Sequence, residues 1–302
     1  MSITPRQALA IIPPQGNSMS QSDLAAKMTI RPVTPDEMQT AVEWAANEGW
    51  NPGLHDAGMF LPTDPEGFLC GELEGEIVAF VSSVIYDRNY GFLGFFMVRP
   101  DMRSLGLGRK IARACFGRQG NRVAGIDGVV EQQETYKRWG FKMAFSSLRY
   151  QATGGGEAPA GLTPVSEVPW PQMAAYDAAC FPAKREDFLK RWVNQPGGAA
   201  LAVVTGNELQ GFGVLRPCHE GFKIGPLFAD GPAQAELLYQ GLLAKAPGAP
   251  VFLDAPQNNP EAVALVGRHG LEAVFECGRM YINGEPPWNA DRVFGITTFE
   301  LG

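Results

Sequence analysis

The chain has 302 residues, 45% of them apolar, and a formal net charge of −7. That length suits two domains with full hydrophobic cores, and the acidic balance argues against nucleic acid or an anionic membrane as a partner, since both select a basic surface. The five cysteines (Cys70, Cys115, Cys180, Cys218, Cys277) are odd in number and lack any CxxC, which is unlike a disulfide framework or a zinc site and suits reduced thiols in a cytoplasm.

Residues 1–28 read as a poorly ordered leader that lacks the core of a signal peptide. A short strand follows at Thr29–Pro32. Thr34-Pro35-Asp36-Glu37 then opens a helix, with Thr34 as cap and Glu37 closing a capping box. Residues 49–58 read as a Gly/Pro-rich loop. Phe68–Leu73 and Ile77–Tyr86 read as a hairpin turned at Glu74-Gly75, and Gly91–Val98 as a third apolar strand. Arg109–Phe116 is helical, Val123–Val130 a buried strand, Gln132–Trp139 a helix, and Phe141–Tyr150 a strand closing the unit. No apolar run reaches the length of a membrane span.

Residues 151–161 have linker composition, and the order then recurs. Pro164–Val168 is a weak strand, and Gln172–Ala179 and Arg185–Asn194 are helices. Ala200–Val204 and Gly211–Leu215 form a hairpin. Phe222–Ala229, a helix at Ala233–Ala244, Val251–Ala255, a helix at Glu261–His269 and Ala273–Ile282 complete the second unit. The expected fold is α/β, an α+β mixed sheet flanked by helices in each of two tandem domains, at 29–150 and 162–302. The apolar segment from Asp291 to Gly302 is too hydrophobic to trail in water. It is expected to return to the first domain and to offer Thr297, Thr298 or Glu300 to a pocket.

Arg103-x-x-Gly106-x-Gly108 lies between a strand and a helix. Free amides at a helix N-terminus, with glycines that permit close approach, suit a phosphate, and Arg103 and Arg109 add positive charge. The loop is neither a P-loop nor a dinucleotide fingerprint. Taken in order, Phe96-Met97-Val98-Arg99-Pro100, this loop, and Tyr136-x-x-x-Gly140-Phe141 resemble the GNAT acetyltransferase superfamily, and Asn51-Pro52-Gly53-Leu54-His55-Asp56 with the C-terminal segment from Phe294 to Gly302 resembles its tandem bacterial members. The likeness is strong over 30–150 and weak over 162–283.

That resemblance implies acetyl-CoA (coenzyme A) as donor. The amides of Ser104, Leu105, Gly106, Leu107 and Gly108 would hold the pyrophosphate. The strand edge at Phe96, Met97 and Val98 would bond the pantetheine arm, and Tyr136 would protonate the leaving thiolate. Two positions depart from the family pattern. Val129 stands where many members have Asn, leaving Gln132 or Gln133 as substitutes. Gly94-Phe95-Phe96-Met97 carries no carboxylate where a glutamate is frequent. Candidate bases are therefore His55, Asp56, Asp127 and Glu131; Asp127 interrupts a buried apolar strand, where a carboxylate needs a partner. His219 and His269 read as ordinary surface residues.

The second unit has no such loop. Asp230 puts negative charge where phosphate would sit, Pro232 removes an amide, and Val266 replaces the tyrosine. One active site is expected, in the first domain of a monomer or homodimer. The acceptor is a primary amine on a small molecule or peptide. An acyl-CoA-binding sensor or a protein-lysine acetyltransferase are the competing readings.

Overall fold

A computed structural model describes residues 21–302. Most of the expected leader thus lies outside the described residues, although its end forms a helix. The strands are β1 (Thr29–Pro32), β2 (Phe68–Leu73), β3 (Glu76–Ile85), β4 (Tyr90–Val98), β5 (Val123–Val129) and β6 (Lys142–Thr153), then β7 (Leu162–Pro164), β8 (Ala199–Thr205), β9 (Glu208–Pro217), β10 (Phe222–Ala229), β11 (Pro250–Pro256), β12 (Glu272–Ile282) and β13 (Val293–Gly295). The helices are α1 (Gln21–Lys27), α2 (Pro35–Asn47), α3 (Asp56–Phe60), α4 (Leu107–Gln119) and α5 (Gln133–Arg138), then α6 (Trp170–Cys180), α7 (Glu186–Trp192), α8 (Pro232–Leu243) and α9 (Pro260–Arg268).

The capping box at Thr34 forms as read, with the Glu37 amide donating to Thr34 Oγ1 (3.3 Å) and the Thr34 amide to Glu37 Oε2 (2.7 Å). Three segments differ from expectation. The stretch read as a linker from residue 151 begins inside β6, whose Gln151, Ala152 and Thr153 pair with β11. Asp56–Phe60, part of which read as loop, is a helix whose Phe60 is fully buried. The strand expected at Pro164–Val168 stops at Pro164 and gives way to a 3-10 turn that buries Val165.

All the strands join one mixed sheet in the order β1-β2-β3-β4-β5-β12-β6-β11-β10-β9-β8-β7, with β13 paired to β10. The two units therefore exchange their last long strands. β12 lies against β5 of the first half, and β6 lies against β11 of the second. Both exchanged strands are antiparallel to their new neighbours, so each presents the same alternating faces in either sheet. The register also places Arg279 of β12 opposite Asp127 of β5, and Arg149 of β6 opposite Asp254 of β11. Each pair forms a buried bidentate fork: 2.7 and 2.7 Å for Arg279–Asp127, 2.7 and 2.9 Å for Arg149–Asp254.

One apolar cluster runs from Phe80 and Phe95 of the first half to Trp192 and Phe212 of the second, so the halves share a core. The C-terminal residues follow this seam back to the first half. The Ile296 amide donates to the Asp254 carbonyl (3.0 Å), and the Tyr86 hydroxyl donates to the Leu301 carbonyl (2.8 Å). Among the described residues, no helix is long and apolar enough to cross a membrane.

Candidate functional site

The site begins where two parallel strands part. β4 and β5 pair only from Tyr90–Val123 to Leu93–Ile126. Just beyond, Phe95 takes φ +49° and the register of β4 against β3 shifts. A bulky residue rarely adopts that conformation, and the resulting bulge turns β4 away from β5. The gap opens a cleft enclosing about 540 Å³, part of it open to solvent, within the range of small-molecule sites. Its walls include Gly94, Phe95 and Phe96 of β4, Ile126, Asp127 and Val129 of β5, and Tyr136 and Gln132 near α5. The exchanged strand adds Phe275 and Cys277, the loop after α2 adds Trp50, and the C-terminal segment adds Phe299 and Glu300. A smaller apolar cavity of about 250 Å³ adjoins it beneath α4 and shares Gly94, Phe96, Ile126 and Tyr136.

At the outer end of β4 the glycine loop turns into α4. Ser104 (φ +66°) and Gly106 (φ +83°) adopt left-handed conformations, and Gly106 caps the helix. Among the described residues no acceptor is found for the amides from Ser104 to Arg109. These donors sit at the positive end of a 13-residue helix, which suits an anion. Leu107 is buried and anchors the turn. Gly108 lies over Phe96 and Val98, where a Cβ would make ordinary contact at 3.5 Å. Arg109 is exposed on the first turn. Arg103 turns back instead: its Nε donates to the Val98 carbonyl (3.0 Å) and its guanidinium pairs with Glu48. Met97 points to the opposite face of β4 and packs in the shared core, so it can offer only its backbone.

Tyr136 is buried against Trp139 and Phe141, with ring centroids 5.7 and 6.2 Å away. Burial, with Cys277 and Cys115 nearby, pushes its hydroxyl above the ordinary range, so it keeps its proton at neutral pH. Tyr136 lines the cleft, and no hydrogen bond to its hydroxyl is found among the described residues. Gln132 lines the cleft, whereas Gln133 is directed to the Gly128 carbonyl (3.3 Å).

The candidate bases fare differently. Asp127 lines the cleft, but both oxygens are taken by Arg279. Burial pushes its carboxyl up from the usual carboxylate range, and Arg279 opposes that shift. Asp56 is fully buried outside the cleft. It accepts from the Gly53 amide (2.7 Å) and pairs with Arg216 of β9 (3.2 Å), a partner 160 residues away. His55 precedes α3 and does not line the cleft; its loop contributes Trp50 instead. His269, expected to be solitary, meets Glu236 at 2.6 Å. The aromatic acceptor wall and Glu300 come from segments distant in sequence. The apolar C-terminal segment was the sequence signal for Phe299 and Glu300, whereas Trp50 and Phe275 carried none.

The second half opens the same gap and fills it. β10 and β11 pair only over Phe222–Ile224 and Val251–Leu253. Beyond that point β13 pairs with β10 at Leu227 and Phe228, and Ile296 bonds the Asp254 carbonyl of β11. α8 starts at Pro232, and Asp230 before it is engaged by Tyr176 (2.8 Å) and Arg292 (3.1 Å). Asn259 caps α9 by accepting from the Glu261 and Ala262 amides.

Comparison with known proteins agrees with this duplicated geometry. The acetyltransferase (GNAT) family model matches residues 36–141, and an acetyltransferase (GNAT) domain model matches 173–295. Holothin acyltransferase from Pseudoalteromonas sp. (strain SANK 73390) is 30% identical over 277 residues, covering 91% of this chain and 94% of that one. A solved structure from Pyrococcus horikoshii is similar in fold, with a TM-score of 0.79 and 22% identity over 91% of this chain and 96% of that one. A tandem GNAT protein from the clavulanic acid biosynthesis pathway has a TM-score of 0.59 and 14% identity over 86% of this chain and 100% of that one.

Proposed function

The chain belongs to the GNAT superfamily of acyltransferases as a tandem member, and on that premise we propose that it moves an acetyl group from acetyl-CoA to the primary amine of a small molecule. The observation that carries this reading is the cleft that opens where β4 leaves β5, with Tyr136 on its wall, followed along the same strand by a loop whose amides have no acceptor among the described residues. The residues present fit coenzyme A. The amides from Leu105 to Gly108 would hold the pyrophosphate, and the β4 edge at Phe96 to Val98 would bond the pantetheine amides as a neighbouring strand does. The thioester supplies an acyl carbon open to attack by nitrogen and a sulfur leaving group.

Tyr136 gives its proton to the departing sulfur, which burial permits because the hydroxyl stays protonated at neutral pH. Trp50, Phe275 and Phe299 make the acceptor side flat and apolar, and Asp127 inside it is already paired. The acceptor that suits such walls carries its amine on an uncharged, apolar body. A relative that acylates holothin supports a small-molecule acceptor over a protein lysine.

Calorimetry tests the donor assignment. Acetyl-CoA should bind with one site per chain, because β13 and Pro232 occupy the second half's equivalent position. Gly106→Asp should abolish binding by placing a carboxylate at the phosphate position. Gly106→Asn, which also tolerates positive φ, should retain most of it. Two equivalent sites, or none, would contradict the proposal.

A further inference from the structure

The buried carboxylates of this protein follow a rule with one exception. Asp56, Asp127, Asp177 and Asp254 each have both oxygens tied to one arginine: Arg216, Arg279, Arg185 and Arg149 respectively. Glu300 is 3% exposed, yet it has no such partner among the described residues. The Thr298 hydroxyl donates to its Oε2, while no hydrogen bond to its Oε1 is found among the described residues and the residue lines the cleft. Taking a carboxylate out of water without an ion pair costs several kcal/mol, so an incompletely partnered one on a cleft wall points to work done there.

Its placement says what that work is. The Glu300 backbone crosses directly over Gly94 of β4, where any Cβ would collide with the Glu300 carbonyl oxygen and approach Ser82 Oγ at 3.0 Å. Gly94 is glycine because the C-terminal segment needs that space. β4 carries no acid there, and the segment delivers one to the same cleft that holds Tyr136.

We propose that Glu300 is the general base of the transfer, supplied to the first half's cleft by the C-terminal segment of the second. This rests on the acyl-transfer reading above. Glu300 Oε1 takes a proton from the attacking amine nitrogen as that nitrogen bonds the acyl carbon. The carbon–sulfur bond then breaks, and Tyr136 passes its hydroxyl proton to the sulfur. Glu300 then loses a proton to solvent and Tyr136 regains one, which closes the proton balance.

The charged and titratable groups facing Glu300 are Arg149 of β6, Arg216 of β9, Lys223 of β10, Asp127 of β5 and Cys277 of β12. Arg149, Arg216 and Asp127 are neutralised by their own partners. Lys223 donates to the Trp50 carbonyl (2.9 Å) and has no carboxylate within salt-bridge distance among the described residues. Thr298 fixes one oxygen, and the segment itself is pinned by Arg185 Nη2 donating to Thr297 Oγ1 (2.8 Å).

The test is Glu300→Gln, which preserves shape and can still accept from Thr298. The turnover number should fall about 10²- to 10⁴-fold, the acidic limb of the pH–rate profile should flatten, and acetyl-CoA affinity and melting temperature should stay near wild type. Glu300→Asp should keep the limb at an intermediate rate, and Glu300→Ala should regain rate when formate is added. If Glu300→Gln turns over like wild type, or if slow variants keep the limb and formate rescues nothing, Glu300 is not the base. Should wild type bind no acetyl-CoA and transfer nothing to any amine, the acyl-transfer reading falls instead.

Discussion

Replacing Asp127 by Asn should destabilise the protein severely, because the aspartate belongs to the strand exchange. Asp127 and Arg279 are opposite in register, both side chains are no more than 2% exposed, and both fork bonds measure 2.7 Å. Arg279 also lies 4.9 Å from the Phe92 ring, and among the described residues it has no second carboxylate partner. Although burial disfavours its charge, Asp127 holds the guanidinium protonated well beyond its ordinary range, so it cannot shed the charge when its partner is lost. Removing one member of such a pair typically costs about 3–5 kcal/mol. At roughly 2–4 °C per kcal/mol for a chain of this size, the melting temperature should drop by about 6–20 °C. Asp127→Leu with Arg279→Met removes both charges and should recover most of that loss, since a buried pair adds little over apolar residues of similar volume. Calorimetric melting of the single and double variants measures the coupling, and turnover is read on the same samples. An Asp127→Asn protein that melts with the wild type but loses its rate would refute this account and make Asp127 part of the chemistry.

Two further outcomes follow from the same geometry. Tyr136→Phe keeps the ring packing against Trp139, so acetyl-CoA affinity should stay within a few-fold while turnover falls about 10²- to 10⁴-fold; an unchanged rate would show that another group protonates the sulfur. Burial, and after it Arg149, pulls the Lys223 ammonium down to about 8. Because the unfolded chain then binds more protons between that value and about 10.4, this group makes stability rise with pH across the window, and below it costs the fold about 3 kcal/mol. Lys223→Met should therefore melt higher than wild type at neutral pH and lose the advantage by pH 10, whereas a pH-independent difference would count against the burial argument.

What could be read from the sequence was what local pattern determines. Thr34 and Glu37 announce a capped helix through three-residue spacing, and the loop from Arg103 to Gly108 announces free amides through its glycines. The loss of the second loop was equally plain in Asp230 and Pro232. Pairing across the chain was not legible. Asp56 reads as a candidate base in a loop because its partner Arg216 is 160 residues away. The exchange of β6 and β12 left no trace, since strands of like alternation fit either sheet. Asp127 reads from the sequence as a buried charge in need of a partner, but only the register names Arg279. The apolar C-terminal segment suggested a return to the first half. That it fills the second half's gap with β13 and then brings Glu300 over Gly94 required the fold.

The most direct measurement is transfer itself. Purified protein is incubated with acetyl-CoA and a panel of primary amines, from lysine-like aliphatic amines to flat aromatic ones, while released thiol is followed and products are identified by mass. Amine-dependent thiol release with a matching N-acetylated product is predicted, with uncharged flat amines turned over fastest. Tight acetyl-CoA binding with no thiol release for any amine would contradict the account and mark the cleft as one that holds the donor without using it.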